Sequence, residues 1–264
     1  IPTRVGGCQL LEINLKMQSI SPETIFRGKD AWIKALPQIA DLTKSPLVLG
    51  RSIYTNYLRN KIFKDLQDLN LNVQLTNLQF DCCYEDISRI KNVISTNNHD
   101  SVIAAGGGKV LDAGKYIADS LSIPCITVPL SASTCAGWTA LSNIYTKNGQ
   151  FVNDVALRSC PKILVYDHKF IQTAPSRTLA SGIADALAKW YESSITSSTI
   201  DDGLVQQAIQ ISRVLRDQLL IDGKKAFKCE FENNPSWRNT IEACGLTAGL
   251  VGGIGGEKCR TAAA

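Results

Sequence analysis

The chain has 264 residues, 44% hydrophobic and 20% charged, with a mean hydropathy of -0.02. That balance belongs to a globular protein of one large or two modest domains and excludes a disordered or fibrous chain. The net charge of +4 is spread along the sequence rather than gathered in a basic stripe, which argues against nucleic acid as a partner; no run of about 18 apolar residues marks a membrane helix.

In chain order, Pro46-Leu47-Val48-Leu49-Gly50 predicts a strand ending in glycine. From Tyr54 to Leu69 the residues Leu58, Ile62, Leu66 and Leu69 share one stripe, which predicts an amphipathic helix. Asn72-Val73-Gln74-Leu75 alternates as a strand, and Ile87, Ile90, Val93 and Ile94 predict a helix over Tyr84 to Ser95. Ser101-Val102-Ile103-Ala104-Ala105 is expected as a buried strand, followed after a triple glycine by a helix over 109–120. Pro124-Cys125-Ile126-Thr127-Val128-Pro129 predicts another buried strand, and a further one ends near Val165. Strands alternating with helices predict an α/β fold with a doubly wound, mostly parallel sheet, whose ligands bind at the carboxyl ends of strands.

After residue 175 the pattern becomes helical: Pro175 to Thr196, Asp202 to Leu220, and Trp237 to Val251, with Ser193 to Ser198 as a polar linker. An all-α C-terminal domain is therefore expected over 175–264, behind a dinucleotide-binding α/β domain over 1–174, with a boundary near Gln172-Thr173-Ala174-Pro175 and a cleft between the two. Most of the nine cysteines sit among apolar neighbours, as in Glu242-Ala243-Cys244-Gly245, and the adjacent Cys82-Cys83 lacks zinc-knuckle spacing. They are expected to be reduced, mostly buried thiols, which points to the cytoplasm. The start of the chain shows no charged-then-apolar leader pattern.

Three segments carry chemistry. In Gly106-Gly107-Gly108-Lys109-Val110-Leu111-Asp112, three residues without a Cβ join a strand to the first turn of a helix, where unpaired N–H groups and the helix dipole attract a phosphate. The spacing is neither the Walker loop nor G-x-G-x-x-G, and a tight turn needing positive φ is the bland alternative. In Val128-Pro129-Leu130-Ser131-Ala132-Ser133-Thr134-Cys135-Ala136-Gly137-Trp138-Thr139, small hydroxyl side chains follow a strand and can bond a phosphate, ribose or carboxamide. In Gly182-Ile183-Ala184-Asp185-Ala186-Leu187-Ala188-Lys189, one acid interrupts an apolar helix face; it is either an i,i+4 partner of Lys189 or a buried ligand for a divalent metal.

Together, the order and spacing of these motifs across residues 100–192 resemble the iron-containing alcohol dehydrogenase superfamily, in its glycerol dehydrogenase-like branch. The likeness to hydroxycarboxylate dehydrogenases, which reduce 2-oxo acids, rests on Thr134-Cys135-Ala136-Gly137-Trp138-Thr139 and Leu250-Val251-Gly252-Gly253-Ile254-Gly255. The resemblance implies a dehydroquinate synthase-like fold, with NAD or NADP and a divalent metal (zinc or iron) as cofactors. The substrate would be a small molecule, and the assembly a homo-oligomer. Gly106, Gly107, Gly108 and Lys109 would hold the cofactor's pyrophosphate with Asp112 nearby, and Ser133, Thr139, Leu141 and Tyr145 would line the path from adenosine to nicotinamide. Asp185 would be the carboxylate ligand of the metal, and with Cys135 forms the candidate catalytic pair. A metal with an open position would polarise the substrate oxygen, and hydride would pass to or from nicotinamide C4.

Several positions depart from that pattern. Many glycerol dehydrogenases carry an Asp where Cys135 stands. An Asp would repel a substrate carboxylate by about 1–4 kcal/mol at 4 Å, so the neutral Cys135 tilts the expectation toward a 2-hydroxy or 2-oxo acid. No histidine within its motif could activate it as a nucleophile. Relatives place an Asp at the end of the strand matching Pro46 to Gly50, on the ribose 2′-hydroxyl; here Arg51 follows, as in sites for a 2′-phosphate, although a solvated surface charge is an equal reading. The metal-binding histidines would come after a segment like Thr261-Ala262-Ala263-Ala264, where this sequence stops, and neither His99 nor His168 matches them. The chain, which begins at Ile1, is therefore expected to be a truncated piece, inactive alone, with Leu246, Leu250 and Val251 short of cover. Dehydroquinate synthase shares the fold but needs a site rich in Lys and Arg, and 130–145 contains neither. Two alternatives remain open: a glycerol dehydrogenase, and a non-catalytic nucleotide-binding remnant without the metal site.

Overall fold

The computed structural model describes residues 18–197, 199–227 and 234–259. Its first part alternates strands and helices: β1 (Thr24–Gly28), α1 (Ala31–Leu42), β2 (Pro46–Gly50), α2 (Asn56–Gln67), β3 (Gln74–Asn77), α3 (Tyr84–Asn97), β4 (Ser101–Gly106), α4 (Gly108–Leu121) and β5 (Cys125–Pro129). A hairpin of β6 (Leu141–Tyr145) and β7 (Phe151–Ala156) follows, then β8 (Ile163–Asp167) and the short α5 (His168–Ile171). The rest is helical: α6 (Ser176–Thr196), α7 (Gly203–Asp222), α8 (Pro235–Glu242), a π-helical turn at Ala243–Thr247, and α9 (Ala248–Gly255). The expected Thr261–Ala264 segment and Ser198 lie outside the described residues.

Six strands form one parallel sheet in the order β1-β8-β5-β4-β2-β3, and β6 pairs antiparallel with β7 apart from it. The central strands are buried on both faces, which is why they read as continuous apolar runs. Their side chains alternate between two cores. Val48, Ile103, Ile126 and Val165 meet α1 and α2, while Leu47, Leu49, Val102 and Ala104 meet α3 and α4. From β2 the chain runs outward to β3 and then returns past β2 to β4. The carboxyl ends of β2 and β4 therefore flank a topological switch point, where such sheets leave a crevice.

The helices after α5 pack on the other end of the sheet through a third core, which includes Trp138, Leu164 and Tyr166 beside Leu215, Ile241 and Val251. Tyr166 donates its hydroxyl to the Ile241 carbonyl at 2.6 Å, and Trp138 donates its indole N–H to the Ile20 carbonyl at 2.9 Å. Val251 is fully buried, and Leu246 and Leu250 are partly buried and pack against this core, with α7 lying on α9. That corrects the expectation of missing cover for Val251, while Leu246 and Leu250 stay partly exposed. β1, α1 and the hairpin stand outside the elements read from sequence. β1 is a half-buried edge strand and β7 is largely exposed, so neither shows a long apolar period, whereas α1 carries a stripe of Ala31, Trp32, Ala35 and Ile39 with Pro37 inside the helix. The helix expected from Trp237 to Val251 is divided by the π-helical turn, where Gly245 lets the backbone meet the Tyr166 ring.

Candidate functional site

The glycine turn ends β4 at the switch point, and α4 begins directly after it. Gly107 has φ -87°, and positive φ is absent from Gly106, Gly107 and Gly108, so a left-handed backbone is not what these glycines supply. A Cβ on Gly107 would meet nothing within 4 Å, which leaves open space above the turn. No side chain caps α4; the Val110 and Leu111 N–H groups bond the Gly107 carbonyl, which leaves those of Gly108 and Lys109 beside that space.

On one side of the turn lies a cleft of about 830 Å³. It collects Gly108, Lys109 and Asp112 from α4, Ser133, Cys135 and Thr139 from the following loop, Leu141 and Tyr145 from β6, and Asp185 from α6. Nine of the twelve residues singled out from sequence thus share one cavity, together with Lys189, Asn143, Phe151 and Asp154. On the other side, Gly107, Tyr54, Tyr57, Leu130, Ser131 and Thr178 line a second pocket of about 500 Å³. Gly106 is buried at the end of β4, and Arg51 stands outside the cleft.

Asp81 organises the charges beside the turn. It is buried, accepts from the Cys82 N–H at 2.8 Å, and lies 2.5 Å from the Lys109 ammonium and 3.5 Å from Arg51. Lys109 also sits 4.4 Å above the Tyr145 ring. The two cations expected to meet cofactor phosphates are thus already fastened to a carboxylate, and the backbone N–H groups are the unengaged donors at the turn. Asp81 follows β3 in a stretch without a motif, and only the packing of β3 against β2 brings it here.

Lys115 fixes the floor of the cleft. Its ammonium, almost fully buried, lies 3.0 Å from Asp112 and donates to the Thr139 carbonyl at 3.0 Å and to the Leu141 carbonyl. Burial pushes the Asp112 carboxyl above its ordinary pKa, with Lys115 pulling the other way. Thr127 and Ser142 hold the same loop through the Gly137 and Asp112 carbonyls, at 2.7 Å and 2.9 Å.

Asp185 reaches the cleft because α6 docks closely on this loop. At Gly182 a Cβ would lie 1.8 Å from the Ala132 carbonyl oxygen, so only glycine allows the approach. Asp185 Oδ1 is 3.6 Å from the Lys189 ammonium, while Oδ2 is buried with no hydrogen-bond partner. A buried carboxylate oxygen left without a donor suits a cation. Among the described residues no group of three His, Cys, Asp or Glu could hold a metal ion. Burial raises the Cys135 thiol pKa, leaving it neutral. Burial lowers the Lys189 pKa, but the carboxylates of Asp185 and Glu192 favour its ammonium form. The histidines serve elsewhere: His99 bonds Gln74 at 2.8 Å, and His168 bonds Glu242 at 3.1 Å. The seven described cysteines form no disulfide, and all but Cys135 are buried; no described helix is long and apolar enough to cross a membrane.

Known proteins resemble this chain in sequence and in fold. An uncharacterised oxidoreductase of Synechocystis is 38% identical over 95% of this chain and 64% of its own length. Hydroxycarboxylate dehydrogenase A of Escherichia coli is 31% identical over 69% of this chain and 51% of its own. The crystal structure of a probable glycerol dehydrogenase from Sinorhizobium meliloti superposes with a TM-score of 0.79 at 28% identity, covering 92% of this chain and 68% of that one. The chain thus spans just under two thirds of the first of these relatives and about half of the second. The family model for iron-containing alcohol dehydrogenases matches residues 22–168, from β1 through β8 with the glycine turn between, and the chain belongs to that family.

Proposed function

We propose that this chain carries the cofactor site, and one metal ligand, of an NAD(P)-linked oxidoreductase that interconverts a 2-hydroxy acid and a 2-oxo acid. The observation that carries the reading is the unpartnered, buried Oδ2 of Asp185 in the same cleft as the glycine turn. The sheet part, residues 1–174, would hold the dinucleotide, and the helical part, 175–264, the metal and substrate. The reading takes the protein to be cytoplasmic and homo-oligomeric.

In this reading the pyrophosphate lies over Gly107 and Gly108, where the α4 N–H groups can donate to it and no Cβ intervenes. The adenosine end enters the pocket of Tyr54 and Tyr57, and the nicotinamide end the cleft of Thr139, Leu141 and Tyr145. Arg51, at the carboxyl end of β2, would meet a 2′-phosphate only by leaving Asp81, 3.5 Å away, so the cofactor is NAD or NADP. Lys115 and Asp112 hold the loop that carries Ser133, Cys135 and Thr139. The neutral Cys135 puts no charge against a substrate carboxylate. Asp185 would hold a zinc or iron ion, which when bound supplies Lewis-acid polarisation of the substrate oxygen. In the reductive direction hydride leaves nicotinamide C4 for the carbonyl carbon, a proton reaches the oxygen, and the cofactor is released oxidised.

The test is elemental analysis with steady-state kinetics on protein expressed from the complete reading frame. One equivalent of zinc or iron, with nicotinamide-dependent reduction of a 2-oxo acid that is lost in Asp185→Ala, is the expected result. Turnover of glycerol but no 2-oxo acid would favour the glycerol dehydrogenase reading, which the Sinorhizobium neighbour makes the second choice. Cofactor binding with neither metal nor turnover would leave a non-catalytic nucleotide-binding protein.

A further inference from the structure

We propose that Lys189 is the group that recognises the substrate's carboxylate. The inference rests on the 2-oxo acid reading above and names the side chain that would give it selectivity. Most charged side chains lining the cleft are already committed. Lys109 lies against Asp81 at 2.5 Å, Asp112 pairs with the buried Lys115 at 3.0 Å, and Asp154 is exposed on β7. Asp185 and Lys189 are left, one helical turn apart on the face of α6 that meets the cavity.

Their mutual contact is loose. Asp185 Oδ1 lies 3.6 Å from the Lys189 ammonium, beyond hydrogen-bonding distance, and Glu192, three residues further along α6, also acts on it through its charge. The Lys189 side chain is only 12% exposed, so its charge stands in the cleft wall rather than in bulk water. A poorly hydrated ammonium with a weak partner gains from a second anion. If Asp185 gives its unpartnered Oδ2 to a metal, its negative charge goes to that ion and Lys189 is left the more unbalanced. A carboxylate carried on the carbon next to the reacting carbonyl would then find a cation one turn of α6 away from the group that holds the metal. The competing role is structural: Lys189 orients Asp185 and never touches substrate.

The two roles separate in full-length protein loaded with reduced cofactor. The compared substrates are 2-oxobutyrate and 1-hydroxy-2-butanone, similar in size but one of them uncharged. Calorimetric titration with oxamate, a carboxylate that is not reduced, reads binding without turnover. Lys189→Met is expected to lower the ratio of kcat/KM for the charged over the uncharged substrate about 30-fold, or about 2 kcal/mol, and to weaken oxamate by a similar factor. Lys189→Arg, which keeps the charge, should hold both within about 3-fold. A fall in both substrates together with an unchanged ratio, or unchanged oxamate binding, overturns the proposal. Turnover of 1-hydroxy-2-butanone without 2-oxobutyrate also overturns it, while leaving the oxidoreductase reading intact. Turnover of neither defeats that reading, and the oxamate titration then decides Lys189 alone: binding weakened in Lys189→Met supports it, binding unchanged refutes it.

Discussion

Replacing Lys115 with Met is the most informative single perturbation of the cleft. The ammonium is 1% exposed and serves Asp112 at 3.0 Å, the Thr139 carbonyl at 3.0 Å and the Leu141 carbonyl. Methionine fills much of the space but leaves a buried carboxylate and two carbonyls without their donor. Breaking a buried pair in this one-sided way costs about 3–5 kcal/mol, a large share of the about 5–15 kcal/mol that holds a domain folded. Urea unfolding followed by circular dichroism measures the loss, and thermal unfolding should show a midpoint lower by about 8–15 °C. The loss should also depend on pH. Burial already raises the Asp112 pKa above its unfolded value, so this group's stabilising contribution is full below the ordinary carboxylate range and disappears as pH rises through its folded pKa. Without Lys115 that folded pKa climbs further, so the deficit should be deepest at neutral pH and shrink toward about pH 4. The double variant Asp112→Asn, Lys115→Met should recover at least half of it, since no charge is then stranded. A single-variant loss under about 1 kcal/mol, or a double variant no better than the single, would refute the reasoning.

Other consequences can be checked alongside. Gly107→Val should weaken nicotinamide cofactor binding at least about 100-fold by calorimetry, while shifting the thermal midpoint by only about 1–2 °C, because the added atoms enter open space at an ordinary φ. Glu242 titrates in the opposite sense to Asp112. Burial raises its pKa, but His168 and Arg27 outweigh that and hold it below the ordinary range. Its contribution is therefore present above that range and lost as pH falls through the depressed value, and Glu242→Gln should flatten the acid side of the stability profile. Burial pushes the Cys125 thiol to about 12, so site-resolved mass spectrometry should find it unalkylated at pH 8 in folded protein and labelled once the chain is unfolded.

The strongest elements were legible because their signals are local. β2, β4 and β5 are buried on both faces, and a strand with no wet side reads as an unbroken apolar run. The helices α2 and α3 keep the stripe that packs them on the sheet: Leu58, Ile62 and Leu66 in one, Ile87, Ile90 and Ile94 in the other. Gly106, Gly107 and Gly108 announce a strand-to-helix turn by composition alone. β1 and β7 gave little, since half-buried or exposed strands carry no period strong enough to distinguish them from loops.

What the linear order could not contain is which distant groups become neighbours. Asp81 belongs to no motif, yet the β2–β3 pairing puts it within reach of Arg51 and Lys109 and so decides that neither cation waits free for a phosphate. Gly182 is one glycine among 19 until α6 meets the Ala132 carbonyl, and that approach is what carries Asp185 and Lys189 into the cleft. Periodicity and turn chemistry are properties of neighbouring residues, so sequence determined the α/β frame, the helical part after it and the glycine turn. Charge compensation and close approach depend on contacts between segments 28 to 50 residues apart, and those only the tertiary structure decided.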